Sequence, residues 1–478
     1  MGGVHVTPAL AYSPPDMRPA TDLPFGLTRR TNAELLARQA ANESNARSYP
    51  RKLPLAIVQA KGMEVRDADG RVYLDCLSNA GTLALGHNHE AVVEALQQHL
   101  AAGWPMQALD LPTPVRDQYV EELLATLPEE FSRTARIQFC GPSGSDAVEA
   151  ALKLVKTATG KRAIVGFSGS YHGQTHGALA LMGNPGPRHA VNGLMPDVHF
   201  LPYPYPYRMG PGSPNRVADN CATYAERLLH DQEGGIPPVA GMVLETVQGE
   251  GGVIAAPTRF LKRLRALTTQ CDIPLIFDEV QTGFGRTGKM YAFEHSGVLP
   301  DVVVLSKAIG GGLPLAVVVY HERLDVWKPG AHSGTFRGNQ MAMTAGLATM
   351  RFIQENRLPE YAQTMGRLLL QELNALQTQH PCIGEVRGRG LMLGIEIVNP
   401  NTLDATGHPA ADPALARSLQ AACLREGLII ELGGRHGAVI RLLPPLNITA
   451  AQATRVLEIL ASVFAAWAPA ASQHVCHV

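Results

Sequence analysis

The chain has 478 residues, 45% of them hydrophobic and 17% charged, which is enough for two or three globular domains with buried cores. Its 41 lysines and arginines balance 42 acidic residues, for a formal net charge of -1, which argues against a nucleic acid or an anionic membrane as a partner. The seven cysteines are scattered without a CxxC pair, and no apolar run is long enough to span a membrane. We therefore expect a cytoplasmic protein with reduced thiols that acts on small molecules or pairs with a second copy of itself.

The N-terminal part of the chain predicts an arm, a helix and a set of strands. Residues 1–30 are rich in proline and predict a poorly ordered arm or a strap over a partner. A helix follows near 31–42, and residues 53–75 alternate like strands, with Asp69-Gly70 as a hairpin turn. Further helical patterns lie at 89–102 and 114–127.

The middle of the chain alternates between short apolar runs and helices. Strands this apolar, interleaved with helices, predict a mostly parallel sheet that is covered on both faces. A loop rich in Pro, Tyr and Gly, at 202–216, is expected on the surface. The strand candidates are 136–140, 162–167, 241–247, 273–280, 302–306 and 315–320, and the helix candidates are 145–157 and 258–270.

After about residue 340 the pattern changes and predicts a separate, smaller α+β domain. Two long helical patterns come first, strand-like segments follow, and a helix closes the domain. The helices are predicted at 340–354, 358–379 and 449–466, and the strands at 385–398 and 438–443.

Lys307, in VVVLSKAIGGG, follows an apolar strand and precedes a cluster of glycines. A buried ammonium group is costly unless it is paired or neutralised. A lysine enclosed there with a lowered pKa is a nucleophile that can condense with an aldehyde. If this segment stood alone, a lysine that extends from a strand end to solvent would be the favoured interpretation.

Two further segments place polar groups where a ligand could bind, one at the end of an apolar strand and one at the start of a helix. Asp278 ends the strand IPLIFD, where a carboxylate suits a cation in an enclosed pocket, such as a protonated pyridine nitrogen. A helix cap or an arginine partner is the alternative for this residue. The helix that starts in GPSGSDAVEAALKLVK offers free N–H groups at Gly144 and the hydroxyls of Ser143 and Ser145, which suit a phosphate. Simple helix capping explains them about as well.

Two other motifs are rejected. Residues 283–288, GFGRTG, match the GxGxxG pattern of dinucleotide-binding loops, but no clear helix follows them. His172 and His176 have the spacing of metal ligands on a helix, but they lie in a glycine-interrupted loop without a nearby third ligand. We therefore expect neither a dinucleotide site nor a metal site.

Five motifs follow one another along the chain: YHG (171–173), ETVQGEGGV (245–253), DEVQTGFGRTG (278–288), SKAIGGG (306–312) and GTFRGNQ (334–340). In sequence and order they resemble the class III (subgroup II) aminotransferases of fold type I, over roughly residues 45–450. The resemblance implies an α/β fold, with a large domain whose mostly parallel central sheet is flanked by helices, and a smaller α+β domain. The expected parts are an N-terminal arm (1–30), a segment contributing to the small domain and the dimer (31–100), a large cofactor-binding domain (101–335) and a C-terminal small domain (336–478).

The same resemblance implies pyridoxal 5'-phosphate as the cofactor and a homodimer with shared active sites. Lys307 would hold the cofactor as a Schiff base and move the substrate proton, and Asp278 would pair with the ring nitrogen. The other cofactor-binding residues implied are Gly144 and Ser145 at the phosphate, Tyr171 and His172 at the ring, Gln281 near the phenolic oxygen, and Thr335, which reaches the phosphate from the neighbouring subunit.

Residues Glu250 and Arg441 match a pair that lets related enzymes accept a terminal amine and then the carboxylate of glutamate in one pocket. With Glu250 turned in, Arg441 is neutralised, and with Glu250 turned out, Arg441 is free to bind a carboxylate. Several relatives carry an arginine where this chain has Gln174. We predict that Arg337, from the partner subunit, supplies the missing cation.

Stretches outside the cofactor motifs are most similar to members of this family that act on 2,4-diaminobutyrate; they are 43–54, 81–89, 108–120, 306–320 and 329–340. This implies transfer of the terminal 4-amino group between L-2,4-diaminobutyrate and 2-oxoglutarate, giving aspartate 4-semialdehyde and glutamate, or the reverse. Other ω-aminotransferases acting on ornithine, 4-aminobutyrate, acetylornithine or lysine, and an aminomutase, remain alternatives. A nucleotide-dependent enzyme built on residues 283–288 and a catalytically silent protein of the same fold are the rivals from other classes.

Overall fold

The structure is a computed structural model that describes residues 26–210 and 212–467, so most of the expected N-terminal arm lies outside the described residues. The strands are Ile57–Lys61 (β1), Glu64–Asp67 (β2), Val72–Asp75 (β3), Ala135–Phe139 (β4), Ala163–Phe167 (β5), Val198–Leu201 (β6), Val239–Leu244 (β7), Val247–Gln248 (β8), Ile254–Ala255 (β9), Leu275–Asp278 (β10), Val302–Leu305 (β11), Val317–His321 (β12), Ile383–Arg389 (β13), Met392–Leu403 (β14), Pro409–Ala411 (β15), Leu428–Ile429 (β16), Glu431–Gly433 (β17) and Val439–Leu442 (β18).

The helices confirm the predicted ones to within a few residues and add several short ones. They are Asn32–Asn42 (α1), Tyr49–Lys52 (α2), Ser78–Gly81 (α3), Glu90–Ala101 (α4), Pro114–Ala125 (α5), Glu129–Ser132 (α6), Gly144–Thr159 (α7), His176–Ala180 (α8), Pro185–His189 (α9), Pro214–His230 (α10), Thr258–Gln270 (α11), Gln340–Glu355 (α12), Leu358–Gln379 (α13), Pro413–Arg425 (α14) and Ala450–Ala466 (α15). Among the described residues, no helix is both long enough and apolar enough to cross a membrane.

A seven-stranded sheet in the order β4-β12-β11-β10-β7-β5-β6 forms the centre of the fold. Strands β11, β10, β7, β5 and β6 pair in parallel, as predicted. Strand β12 is antiparallel to both of its neighbours. The short connection between β11 and β12 contains no α-helix, and a parallel return would need a longer crossover.

Both faces of this sheet are buried, because neighbouring residues along a strand point to opposite sides. Val243, Ile276 and Val304 belong to a core formed with helix α7. The residues that follow them, Leu244, Phe277 and Leu305, belong to the large core on the other face. This two-sided burial explains the continuous apolar runs in the sequence.

Two smaller sheets are formed by strands that precede and follow the central sheet in the sequence. Strands β13, β14, β18 and β17 form an antiparallel sheet, with β15 on the edge of β14. Strands β1, β2 and β3 form an antiparallel meander within the predicted strand segment 53–75, and the expected turn at Asp69-Gly70 connects β2 to β3. Strand β16 then pairs in parallel with β3, so the N-terminal strands share a sheet with the C-terminal part of the chain.

The prediction of a surface loop at 202–216 holds only in part, because residues 212–216 are exposed but the start of the segment is buried. Tyr203 and Tyr205 are 1% and 4% exposed, and the Tyr203 hydroxyl donates a hydrogen bond of 2.9 Å to the Glu245 carbonyl. A tyrosine can be buried when its hydroxyl finds such an acceptor. The end of the segment is helical, because Ser213 caps α10 and Pro214 suits its first turn.

Candidate active site

Eight of the predicted site residues line one cavity at the carboxyl ends of the central strands: Gly144, Ser145, Tyr171, His172, Glu250, Asp278, Gln281 and Lys307. Strands β5, β7, β10 and β11 run in parallel, so the segments that follow them meet at one edge of the sheet. That edge is where α/β proteins bind their ligands. The topology thus brings together side chains that lie far apart in the sequence.

Lys307 follows β11 in a left-handed backbone conformation, with a φ of 52°. This conformation costs free energy for a residue with a Cβ, and residues held in it are frequent at functional sites. Burial lowers the pKa of Lys307, and the charge of Glu250 opposes that shift only in part. The position therefore makes the amine that faces the cavity easier to deprotonate than an exposed lysine.

Asp278 is fixed from two sides at the end of β10. Its Oδ2 accepts a hydrogen bond of 2.7 Å from Nδ1 of the buried His172, and its Oδ1 accepts one of 3.0 Å from the Val280 N–H. Burial by itself would lower the pKa of His172, but the hydrogen bond to Asp278 and the charge of that carboxylate outweigh burial, and the pKa is raised. The pair places an oriented negative charge inside the cavity.

Glu245 also lines the cavity, and the sequence reasoning missed it. Its carboxylate accepts hydrogen bonds of 2.9 Å from the N–H groups of Tyr171 and Gly249, and burial raises its pKa to about 7. Glu245 directly follows the apolar strand β7, as Asp278 ends the apolar strand β10. That shared position was the signal available in the sequence.

At the start of helix α7, one residue caps the helix and the next two line the cavity. Ser143 forms a capping box with Asp146, so the capping interpretation is confirmed for that hydroxyl. Gly144 and Ser145 line the cavity instead. A Cβ at position 144 would lie 2.9 Å from a Val280 methyl carbon, so the backbone approaches that side chain closely. The N–H groups of this helix end are suited to an anion.

Several buried polar atoms at the cavity have no hydrogen-bond partner among the described residues. Gln281 donates from Nε2 to the Ala80 carbonyl at 3.2 Å, while its Oε1 is unpaired. His172 Nε2 is unpaired as well. Because unpaired buried polar atoms are costly, these atoms indicate a polar ligand. Tyr171 lies at the same cavity and is 37% exposed.

Arg441 on β18 is fully buried and contacts two carboxylates. Its Nη2 lies 2.6 Å from Glu250 Oε1, as the predicted pair requires, and 3.1 Å from Glu431 Oε2. Burial lowers the pKa of Arg441, but the two carboxylates outweigh burial and raise it. Glu431 was not predicted, because nothing in the local sequence shows that strands β17 and β18 pair.

Thr335 and Arg337 do not reach the cavity of their own chain. Thr335 is exposed, and Arg337 pairs through Nη2 with Asp110 Oδ2 at 2.5 Å. Arg337 also donates a hydrogen bond to the His332 carbonyl. The predicted roles of both residues in the partner's site therefore stay predictions.

Of the two rejected motifs, residues 283–288 serve the packing of the fold, while His172 of the other motif is hydrogen-bonded to Asp278 at the cavity. In residues 283–288, Arg286 is 2% exposed and donates hydrogen bonds to the carbonyls of Leu391, at 3.2 Å, and Pro444. This motif thus connects the loop after β10 to the segments around β14 and β18. Within residues 26–210 and 212–467, no group of three or more His, Cys, Asp or Glu residues could hold a metal ion.

Comparison with known proteins identifies the family. The model of the family "Aminotransferase class-III" matches residues 45–464. The chain is 56% identical over 446 residues to the diaminobutyrate--2-oxoglutarate aminotransferase of Rhizobium meliloti, covering 93% of this chain and 95% of the relative. It is 47% identical over 430 residues to the protein of the same name from Haemophilus influenzae, covering 90% and 94%.

Solved structures agree with this match. An (S)-enantioselective omega-transaminase from Thermomicrobium roseum superposes with a TM-score of 0.81 at 28% identity, covering 91% of this chain and 99% of that one. An amine transaminase from an uncultivated Pseudomonas species, in a PLP-bound form, gives 0.78 at 28% identity, covering 89% and 98%. The chain therefore belongs to the class-III aminotransferases and has their α/β fold of type I.

Proposed function

We propose that this enzyme transfers the 4-amino group of L-2,4-diaminobutyrate to 2-oxoglutarate, giving aspartate 4-semialdehyde and glutamate, or catalyses the reverse reaction. The names of the relatives at 56% and 47% identity support this choice of substrates. The observation that carries the chemistry is that Lys307, with a lowered pKa, shares one cavity with Asp278, Glu250 and a helix N-terminus.

Pyridoxal phosphate fits the groups around this cavity. The helix end at Gly144 and Ser145 suits its phosphate, and Asp278 suits its ring nitrogen. The amide of Gln281 suits the edge that carries the phenolic oxygen, and the ring of Tyr171, which is 37% exposed, suits the face of the cofactor ring. When bound, the cofactor supplies an aldehyde that condenses with amines and a ring that withdraws electrons.

We infer that Lys307 Nζ takes the proton from the amine-bearing carbon of the donor and would pass it on to the bound cofactor. In the second half-reaction it delivers a proton to the carbonyl carbon of 2-oxoglutarate. A general base works best when its pKa lies near the operating pH, and burial lowers the pKa of Lys307 in that direction. Asp278 cannot turn away from the cavity, because His172 and the Val280 N–H hold its two oxygens. Its fixed charge therefore stabilises positive charge at one position.

The pair of Glu250 and Arg441 would adapt the pocket to two different substrates. With Glu250 in contact, Arg441 is neutralised while the amine of the donor enters. Glu250 has a side chain that is 33% exposed and can turn toward solvent, which frees Arg441 for the carboxylate of 2-oxoglutarate. The pocket can thus serve both half-reactions.

We further propose a homodimer in which Thr335 and Arg337 enter the cavity of the partner subunit. The salt bridge between Arg337 and Asp110 joins the loop of Thr335 to the segment 104–111. Contiguous exposed apolar side chains on a surface mark protein interfaces. These two segments expose Trp104, Met106, Leu109, Leu111 and Phe336.

The free thiols described in the chain favour a reducing compartment, and we propose the cytoplasm.

A donor panel tests the substrates. Purified enzyme is loaded with pyridoxal phosphate and supplied with 2-oxoglutarate and one of diaminobutyrate, ornithine, 4-aminobutyrate, acetylornithine or lysine, and glutamate is measured. We expect diaminobutyrate to have the highest kcat/KM, with aspartate 4-semialdehyde as product. A higher kcat/KM with any other donor would overturn the proposed substrate. Reduction with borohydride followed by peptide mass spectrometry tests the site, since the cofactor adduct should lie on Lys307.

A further inference from the structure

The carboxylate of Glu431 is held next to Arg441 by the backbone itself. Strands β17 and β18 are antiparallel, and their register places Glu431 directly opposite Arg441. Side chains directly opposite each other in such a pair lie on the same face of the sheet. Glu431 Oε2 lies 3.1 Å from Arg441 Nη2. The hairpin therefore keeps the two side chains next to each other on one face of the sheet.

The two carboxylates around Arg441 differ in their freedom to move. The Glu250 side chain is 33% exposed, whereas that of Glu431 is 6% exposed. Tyr49, at the start of α2, donates a hydrogen bond of 2.9 Å from its hydroxyl to Glu431 Oε1. Glu431 is therefore enclosed and anchored, while Glu250 can turn to solvent.

Arg441 keeps donors free for a ligand despite its two partners. Both carboxylates lie within ion-pair distance of Nη2, but none of the three buried nitrogens, Nε, Nη1 and Nη2, has a hydrogen-bond partner among the described residues. The side chain runs across Gly433, where a Cβ would lie 2.6 Å from Nε. The guanidinium is thus held in one place, and a substrate carboxylate can reach it once Glu250, which lines the cavity in front of it, has turned away.

The net charge of Arg441, Glu250 and Glu431 should favour a diamino acid over a dicarboxylate. Arg441, Glu250 and Glu431 together carry a net negative charge when all are ionised, and a diamino acid with two ammonium groups and one carboxylate is a net cation. A dicarboxylate such as 2-oxoglutarate meets Arg441 after Glu250 has turned away, but the negative charge of Glu431 still lies 3.1 Å from Nη2 and repels the incoming carboxylate. We propose that Glu431 is a specificity-determining residue, because its charge weakens the binding of a dicarboxylate at Arg441 whether or not Glu250 has turned away. It thereby favours the diamino donor. This inference rests on the proposed function.

The test uses the holoenzyme and the unreactive dicarboxylate glutarate, whose Kd is measured by calorimetry. Glu431→Gln removes the charge but keeps an oxygen for the Tyr49 hydroxyl. We expect this variant to bind glutarate about fivefold to tenfold more tightly, from the loss of one nearby negative charge. The KM for 2-oxoglutarate should fall, and the ratio of kcat/KM for diaminobutyrate to that for glutamate should fall as well.

Three further variants separate charge from position and from folding. Glu426→Gln removes an exposed charge near the same hairpin and should leave the Kd unchanged. Tyr49→Phe keeps the charge of Glu431 and should change the Kd less than about twofold. Glu431→Asp withdraws the charge by one methylene and should tighten glutarate binding to a smaller degree.

Unchanged or weaker glutarate binding in Glu431→Gln would overturn the inference, and so would equal tightening in Tyr49→Phe. A different result would overturn the proposed function without affecting this inference. If the wild-type enzyme does not prefer diaminobutyrate but Glu431→Gln still binds glutarate more tightly, the charge effect on dicarboxylates holds and only the donor is wrong.

Discussion

Two carboxylates contact Arg441, and burial rather than distance should decide which of them costs more free energy when Arg441 is replaced. Glu250 is the closer one, at 2.6 Å from Nη2, but its side chain is 33% exposed. Glu431 lies at 3.1 Å and is 6% exposed. In Arg441→Met, Glu250 can turn to water at a cost of about 1 kcal/mol or less. Glu431 becomes a buried carboxylate without a cation, which costs about 3–5 kcal/mol.

Double-mutant cycles measured by urea unfolding test this order. We compare Arg441→Met with Glu431→Gln, with Glu250→Gln and with each double variant. The coupling free energy of Arg441 with Glu431 should be about 2–3 kcal/mol, and that with Glu250 below about 1 kcal/mol. A coupling with Glu250 that equals or exceeds the coupling with Glu431 would refute the reasoning.

The loss of stability in Arg441→Met should also depend on pH. Burial raises the pKa of Glu431 above its ordinary value of 4.5, and Arg441 is the group that most opposes this shift. Without Arg441 the folded protein keeps a proton that the unfolded chain has already released, so stability falls as the pH rises above 4.5. The variant should approach the wild type near the lower end of this window and diverge from it toward neutral pH. A difference that is constant with pH would contradict this assignment.

Three further predictions concern the cofactor site. Lys307→Ala should lower transamination about a thousandfold or more, while the Tm of the apoprotein holds or rises, because the change removes a partly buried amine; a lower Tm would indicate a structural role instead. Thr335→Ala should raise the Kd for pyridoxal phosphate about tenfold or more through a lost hydrogen bond to a charged group, whereas Ser333→Ala, exposed in the same loop, should not. Asp278→Asn should lower the pKa of His172, followed by NMR titration of the apoprotein, because the carboxylate that stabilises the imidazolium is gone; an unchanged midpoint would mean that Asp278 does not set this pKa.

The sequence alone predicted the position of each principal site residue along its element. Asp278 and Lys307 are recognisable because an apolar strand ends at or just before each of them, and Gly144 because a capped amphipathic helix begins there. Their roles came from the resemblance of whole motifs to a family. Glu245 obeys the same strand-end rule and could have been found by applying it to β7.

Other features could not be read from local patterns. The burial of Tyr203 and Tyr205 depends on acceptors that the chain supplies elsewhere, such as the Glu245 carbonyl and the Glu396 carboxylate. The antiparallel direction of β12 depends on the short connection that precedes it. Composition marked these segments as polar or apolar without indicating their neighbours.

The contacts of Arg441 with Glu250 and Glu431 could not be predicted from the local sequence. Hydrophobic periodicity reflects the geometry of a single helix or strand, so the sequence determined the elements and the polar residues at their ends. The contacts of Arg441 with Glu250 and Glu431 depend on strand register and on loops that fold back over long separations. Only the tertiary structure decides them, because a guanidinium interacts with the carboxylates that lie within a few ångströms in space, wherever they lie along the chain.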